Sequence, residues 1–398
     1  MKIEPSLRVA SLGGYAFAEI DLKVAELQSS GTACADFGVG DPRDPTPEHI
    51  CRRAREAVMS HRRTGYPSYV GSAIFREAVA AWLERRFGVA LDPEREVSST
   101  IGSKEAVFHF PLALLNPGDL VLAPSPGYPP YARGTMFAGG ETYFYPLAPE
   151  NGFLPDLQAI PREIVSRAKI LWLCHPNAPT GTVLPPEFLA EVVEFARRNE
   201  IVLASDEAYS EIWFGDEPPQ SALQFGSEGI IAFHSLSKRS AMTGWRVGFV
   251  AGDERLVALF KKVKTNIDSG TPNFIQEAAV AALSDETHVA AMRASYRRKG
   301  DLLLAALAQA GLVTTKPEAT LYLWQRAPEG MSGLDLATRL LAPEVAVVTI
   351  PGASISTPTD GGGNPGERYV RFALVPEEEE IRAAAARIAK LDLRAPAC

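Results

Sequence analysis

Three stretches of the chain combine residue types that can do chemistry together. In Ser235-Leu236-Ser237-Lys238 an amine follows directly on an apolar run, with hydroxyls three and one residues before it. Arg246 comes eight residues later in Thr243-Gly244-Trp245-Arg246-Val247-Gly248. Most lysines are solvated surface charges, but this one is held beside an arginine able to clamp a phosphate. Ser205-Asp206-Glu207-Ala208-Tyr209 ends another apolar run with a carboxylate and a phenol. Helix capping by Ser205 or Asp206 would account for that pattern taken alone. The chemical reading is that Asp206 keeps a pyridine nitrogen protonated, so that the ring drains electrons from a carbanion, while Tyr209 hydrogen-bonds a ring oxygen. In Thr100-Ile101-Gly102-Ser103-Lys104-Glu105-Ala106, small residues stand where an apolar helix begins. Free N–H groups and the helix dipole at Gly102, Ser103 and Lys104 suit a phosphate, although a glycine before a helix is by itself common.

These residues need a scaffold that gathers them. Apolar runs at 120–123, 170–174, 201–204, 230–233 and 247–250 each end in a polar or glycine-containing turn and suit buried parallel strands. Helical spacing lies between some of them, as in 185–198, which opens with prolines and Glu187. Strands alternating with helices predict an α/β fold with a mostly parallel sheet. In such sheets ligands bind beyond the carboxyl ends of the strands, where Tyr128, Asn177, Asp206, Tyr209, Ser235 and Lys238 fall. Beyond residue 285, a helix over 289–310 and apolar runs at 321–324, 345–350 and 369–374 predict a smaller α+β domain. The expected division is a large domain over 44–285 and a small one from 1–43 and 286–398. The Gly- and Pro-rich segment 357–367 reads as a flexible loop.

Composition narrows the function classes. A chain of 398 residues with 46% hydrophobic and 22% charged residues is ordinary for a globular enzyme. A net charge of -8 and a pI near 5.5 argue against a nucleic-acid partner. The first ten residues lack the apolar core of a signal peptide, and no run reaches the roughly 20 apolar residues that span a bilayer, so a cytoplasmic protein without a membrane partner is expected. Cys34, Cys51, Cys174 and Cys398 form no CxxC pair and read as bystanders in a reducing compartment. Six dispersed histidines and the lack of HExxH, GxSxG or GxxxxGK[ST] argue against metal and P-loop sites.

Taken together, the motifs resemble the fold-type I, class I/II aminotransferases over nearly the whole chain. The resemblance implies an aspartate-aminotransferase-like fold and pyridoxal 5'-phosphate as cofactor, carried covalently by Lys238. Asp206 would pair with the pyridine nitrogen and Tyr209 with the ring oxygen, while Ser235, Arg246 and the turn at Gly102, Ser103 and Lys104 hold the phosphate. Tyr128, in Pro126-Gly127-Tyr128-Pro129, matches the aromatic that stacks on the cofactor. Tyr66, in Tyr66-Pro67-Ser68-Tyr69-Val70-Gly71, matches the tyrosine that reaches the neighbouring subunit's phosphate, with Tyr69 competing for that role; a homodimer with shared sites follows. Arg371, in Tyr369-Val370-Arg371-Phe372-Ala373-Leu374, matches the arginine that grips the substrate α-carboxylate, and a charge inside an apolar strand would otherwise be costly.

One position departs from the family. Where Asn-Pro-Thr-Gly is usual, this chain has Asn177-Ala178-Pro179-Thr180-Gly181, and Ala178 cannot donate to the ring oxygen. Either Asn177 substitutes from one residue away or Tyr209 acts alone. Residues 15–20 and 36–42, which contain Tyr15 and Gly40, resemble the branch acting on diaminopimelate precursors of lysine, and Tyr15 and Gly40 are candidate substrate contacts. Asn364-Pro365-Gly366 and Ser237-Lys238-Arg239-Ser240 lean to its N-succinyl-LL-2,6-diaminopimelate type, with 2-oxoglutarate as acceptor. LL-diaminopimelate aminotransferase is the alternative, followed by alanine, aspartate and aromatic aminotransferases. A lyase on the same cofactor would need no keto-acid acceptor. A transcription regulator with an aminotransferase-like domain would need a DNA-binding module ahead of the enzyme-like pattern, which here begins within the first few tens of residues.

Overall fold

The structure, a computed structural model, describes residues 1–12, 18–29, 31–360 and 362–394. After a short strand β1 (Ala35–Asp36), the chain builds its main sheet from β2 (Val97–Thr100), β3 (Leu120–Ser125), β4 (Glu141–Pro146), β5 (Ala168–Cys174), β6 (Val202–Asp206), β7 (Ile230–Ser235) and β8 (Gly248–Gly252). The order across the sheet is β2-β8-β7-β6-β5-β3-β4. Strands β3 to β7 are parallel, whereas β8 runs antiparallel to both β7 and β2.

Alternation along the central strands explains their apolar runs. Leu122, Leu171, Leu173 and Leu203 face one core, and Val121, Trp172, Ala204 and Phe233 face the other. The first face is covered by helices Glu48–Ser60, Ala73–Phe87, Pro186–Arg198 and Asn273–Ser284. The second is covered by Ser103–His109, Pro130–Phe137 and Glu254–Lys264. A strand covered on both faces has no solvent side, so it reads as continuous hydrophobicity.

The remaining strands are β9 (Tyr322–Arg326), β10 (Val347–Val348), β11 (Ile350–Pro351) and β12 (Tyr369–Ala373). An antiparallel sheet of order β11-β12-β9 packs with helices Thr287–Gln309, Gly333–Leu340 and Glu378–Ile388, while β1 pairs with β10. Phe37, just after β1, donates its N–H to Val348 O at 3.0 Å and accepts from Ala373 N at 2.7 Å, which ties residues 35–37 to the C-terminal part of the chain.

Three expectations change. The run 247–250 is an antiparallel strand: the connection from Ser235 holds only helix Leu236–Arg239 and the turn Thr243–Trp245, too little for a helical crossover, so the chain turns back along β7. Two strands escaped the hydropathy pattern, β2 because its Ser98, Ser99 and Thr100 are buried polar residues, and β4 because it is a partly exposed edge. The single run 345–350 divides into β10 and β11 around buried Thr349. Near the loop expected over 357–367, Ser125 Oγ donates to Thr357 O (2.6 Å) and accepts from Thr357 N (2.9 Å), and Thr359 N donates to Gly363 O (2.9 Å). Among the described residues no helix is long and apolar enough to cross a membrane.

Candidate active site

A cavity of about 470 Å³ opens beyond the carboxyl ends of β5, β6 and β7, where the small sheet leans over the main one. Of the residues expected from sequence, Lys238, Asp206, Tyr209, Ser103, Lys104, Tyr128, Ser235, Arg246, Gly40 and Arg371 all line it. A larger hollow, about 540 Å³, lies between residues 155–158 and helix Pro186–Arg198, but it gathers no comparable chemistry.

Lys238 sits in the short helix that follows β7 and donates to Gly40 O at 2.5 Å. Burial lowers its pKa; the charges of Arg371 and Arg246 act in the same sense, against Tyr322 and Asp41. A buried amine with that shift gives up its proton more easily than a surface lysine, as a base must.

Asp206 is the last residue of β6 and is 5% exposed. Its Oδ2 accepts from Tyr131 Oη at 2.7 Å and its Oδ1 from Ala208 N at 3.3 Å. Burial raises its pKa, and those two hydrogen bonds pull the other way. A buried carboxylate of this kind is best balanced by a cation, and a protonated ring nitrogen is one. Behind it, the buried Glu207 carboxylate accepts from Ser205 Oγ (2.8 Å), Ser221 Oγ (3.1 Å) and Ala222 N (3.0 Å) and lies 3.3 Å from His234. Ser205 is therefore engaged behind the site.

The anion end is made by Ser103, Lys104, Ser235 and Arg246. Arg246 adopts a left-handed backbone (φ 55°, ψ 58°) and lays its guanidinium against the turn before helix Ser103–His109, with Nη1 on Thr243 O at 2.9 Å. A Cβ on Gly102 would meet Arg246 Nη2 at 2.3 Å, and Gly102 itself has φ 72°. Glycine is required there both by its conformation and by the guanidinium beside it. Gly102 thus acts from behind Arg246, without lining the cavity.

Arg371, on β12, donates from Nη2 to Gly38 O at 2.7 Å, while its buried Nε has no protein partner. Its guanidinium carbon lies 4.6 Å from the centre of the Tyr322 ring. The Nε–H is therefore among the donors of this arginine left for a ligand.

Besides Gly102, the expected Asn177 and Tyr66, and Tyr69 as its competitor, do not line the cavity, and one further residue lies outside the described residues. Asn177 is buried, and its Oδ1 accepts from Thr180 Oγ1 (2.8 Å) and Thr180 N (3.3 Å), so its side chain ties the turn; Ala178 and Pro179 line the cavity in its place. Asn177 thus sits one residue off the cavity wall, away from the place where it would substitute for the missing asparagine. Tyr66 is 83% exposed and, like Tyr69, absent from the lining of this chain. Tyr15 falls outside the described residues.

Three of the lining residues that were not singled out by sequence bear on the chemistry. Tyr131, three residues after Tyr128, enters from helix Pro130–Phe137 and stacks on Trp172 at 4.7 Å. Tyr322 opens β9 and resembles any aromatic of an apolar run. Cys174, read as a bystander, ends β5 in the cavity wall, accepts from Ala178 N at 3.4 Å, and has its thiol pKa pushed up to about 12 by burial. The dispersed histidines also require qualification: His49, Asp285 and His288 place one donor atom each within 4.8 Å of one another, away from this cavity.

The chain matches the family model described as aminotransferase class I and II over residues 32–388. LL-diaminopimelate aminotransferase from Syntrophobacter fumaroxidans is 45% identical over 387 residues, covering 96% of this chain and 98% of that protein. The protein of the same name from Aquifex aeolicus is 44% identical, with 98% and 100% covered. Among solved structures, apo-BacF from Bacillus subtilis superposes with a TM-score of 0.91 at 34% identity over 99% of both chains. A double mutant of Thermus thermophilus aspartate aminotransferase gives 0.89 at 29% identity, covering 98% of this chain and all of that one.

Proposed function

The chain belongs to the class I and II aminotransferases, which are pyridoxal-phosphate enzymes with the aspartate-aminotransferase-like fold, and we propose that its amino donor is LL-2,6-diaminopimelate and its acceptor 2-oxoglutarate. The observation that carries the site assignment is the convergence of Lys238, Asp206, Arg246 and Arg371 on one cavity from four separate segments. The residues fit the cofactor: Asp206 is a buried carboxylate suited to a ring cation, and Arg246 with Ser103 and Ser235 offers donors to a phosphate.

When bound, the cofactor supplies an aldehyde for the donor amine and a ring that accepts the electron pair left at Cα. Lys238 Nζ, whose pKa burial lowers, takes the α-proton. Asp206 holds the ring nitrogen in its charged form, with Tyr131 orienting the carboxylate. Arg371 fixes the α-carboxylate through its unpartnered edge, which aligns the Cα–H bond with the lysine. Tyr209 would donate to the ring oxygen, and Tyr128, also in the cavity wall, would pack against the ring. Tyr66, so exposed in one chain, would reach the site of a second copy in a homodimer.

The sequence motifs lean to the succinylated donor, whereas relatives 40–45% identical over nearly the full length carry the name of the unmodified one. Among the described residues, Asp41 is the one acidic residue besides Asp206 that lines the cavity. A carboxylate there suits the distal ammonium of free diaminopimelate and repels a succinyl carboxylate. The test is to mix cofactor-loaded protein with LL-diaminopimelate, its N-succinyl derivative, alanine, aspartate or glutamate, one at a time, and follow the visible absorption. Bleaching by LL-diaminopimelate that 2-oxoglutarate reverses is the expected result. Response to the succinyl compound alone, or to the common amino acids alone, overturns the donor assignment.

A further inference from the structure

Ala178 leaves one hydrogen bond unmade at the place where the family has an asparagine, and nearby side chains differ in whether they can make it. Asn177 stands outside the cavity lining, and the Cys174 thiol is engaged with the backbone of Pro176 and Ala178. The phenol of Tyr322 is placed differently. Its Oη lies 3.1 Å from Tyr209 Oη, with the two rings 5.8 Å apart and inclined at 65°. Tyr322 stands on β9 of the small sheet and Tyr209 follows β6 of the main sheet, so the pair bridges the two.

The position of Tyr322 is tightly determined. Its backbone N–H donates to Thr320 Oγ1 at 3.2 Å, its ring lies under the Arg371 guanidinium, and it is 5% exposed. Gly40 is the counterpart of its hydroxyl, because a Cβ at Gly40 would lie 2.0 Å from Tyr322 Oη. The same Gly40 accepts from Lys238 through its carbonyl. One phenol therefore touches the residues assigned to the ring oxygen and to the substrate carboxylate, as well as the glycine that holds the lysine.

We infer that Tyr322 is a positioning residue that makes good the missing asparagine: it donates to Tyr209 Oη, so that the Tyr209 proton is committed to the cofactor's ring oxygen. A hydroxyl has one proton and two acceptor sites. Left alone, the Tyr209 O–H rotates among whatever acceptors are near; with Tyr322 donating to its oxygen, the proton points away from Tyr322 and the outgoing bond is polarised and strengthened. Burial raises the Tyr209 pKa, with Tyr322 adding to it, which keeps the phenol protonated and a donor. The inference rests on the reading of Tyr209 as the ring-oxygen partner.

The test uses Tyr322→Phe, which keeps the ring under Arg371 and removes only the oxygen. Each variant is reconstituted with pyridoxal phosphate, and both the cofactor dissociation constant and the pH midpoint of its visible band are measured. Hydrogen bonding to the ring oxygen favours its anionic form, so weakening that bond raises the midpoint. The expected change is upward by about one pH unit, with cofactor affinity about tenfold weaker. Adding Ala178→Asn to Tyr322→Phe restores the direct donor and returns the midpoint most of the way, a rescue that a purely structural role for Tyr322 would not show. A midpoint and affinity within about twofold of the parent in Tyr322→Phe overturn the inference, as does failure of Ala178→Asn to rescue. Tyr209→Phe separates the two levels. If it shifts the midpoint while Tyr322→Phe does not, only the relay fails; if Tyr209→Phe leaves the midpoint in place, the Tyr209 reading fails and the inference with it.

Discussion

Replacing Tyr131 by phenylalanine removes one oxygen atom from the wall of the cavity and leaves the ring stacked on Trp172 at 4.7 Å. What is lost is the 2.7 Å hydrogen bond to Asp206 Oδ2. Hydrogen bonds to charged groups contribute about 1.5–3 kcal/mol, so if the bond acts fully in the loaded enzyme, cofactor affinity falls on the order of 10- to 100-fold. Part of the loss also falls on the cofactor-free protein, which moves the expected effect to the lower end, about tenfold. The pH dependence has a definite sign. Burial raises the Asp206 pKa and the Tyr131 bond opposes that rise, so Tyr131→Phe moves it up further. The carboxylate is then protonated over a wider acid range, and the loss of affinity is larger at an acid pH than at an alkaline one. Titrating cofactor into cofactor-free protein at both pH values measures it directly. Wild-type affinity at both would refute the argument that Tyr131 orients Asp206, and a larger loss on the alkaline side would refute the electrostatic part.

The other predictions concern separate parts of the site. Because burial raises Asp206 above the usual 3.8, its ionised form is a cost to the cofactor-free protein: its stabilising contribution is complete below that value and is lost as pH rises through the folded pKa. Asp206→Asn should therefore raise the melting temperature of the cofactor-free protein by an amount that grows from acid to neutral pH, while cofactor binding weakens; a melting temperature below the parent's at neutral pH contradicts this. Gly102→Ala places a Cβ 2.3 Å from Arg246 Nη2 on a backbone of φ 72°, at a conformational cost of about 1–2 kcal/mol plus displacement of the arginine. Pyridoxal phosphate should lose at least about tenfold in affinity and unphosphorylated pyridoxal little, so an unchanged ratio of the two would exclude a phosphate role. Arg371→Lys loses planar two-point contact and should raise KM for the amino donor about tenfold or more with cofactor affinity unchanged. Equal KM would mean that another group holds the carboxylate.

Some of the site was legible because its chemistry is local in the chain. Lys238 with Ser235, Asp206 with Tyr209, and Gly102 with Ser103 each follow an apolar run or precede a helix, and the ends of parallel strands are where a ligand is received. Other parts depend on what is brought alongside. The serines and threonine of β2 read as polar, yet they are buried because β8 pairs with them. Nothing in residues 174–178 says that Asn177 turns its oxygen to Thr180 while Cys174 and Ala178 form the wall.

Periodicity along single segments thus determined the α/β class, while the roles expected of Lys238 and its ionic partners came from the resemblance of their motifs to the family. Only the tertiary structure decided the antiparallel return of β8, the 2.7 Å contact between Tyr131 and Asp206, and the meeting of Tyr322 with Tyr209 across two sheets. Those contacts join residues 75 and 113 positions apart. At such separations the period of a helix or strand carries no information about which side chains meet; the packing of whole elements fixes it.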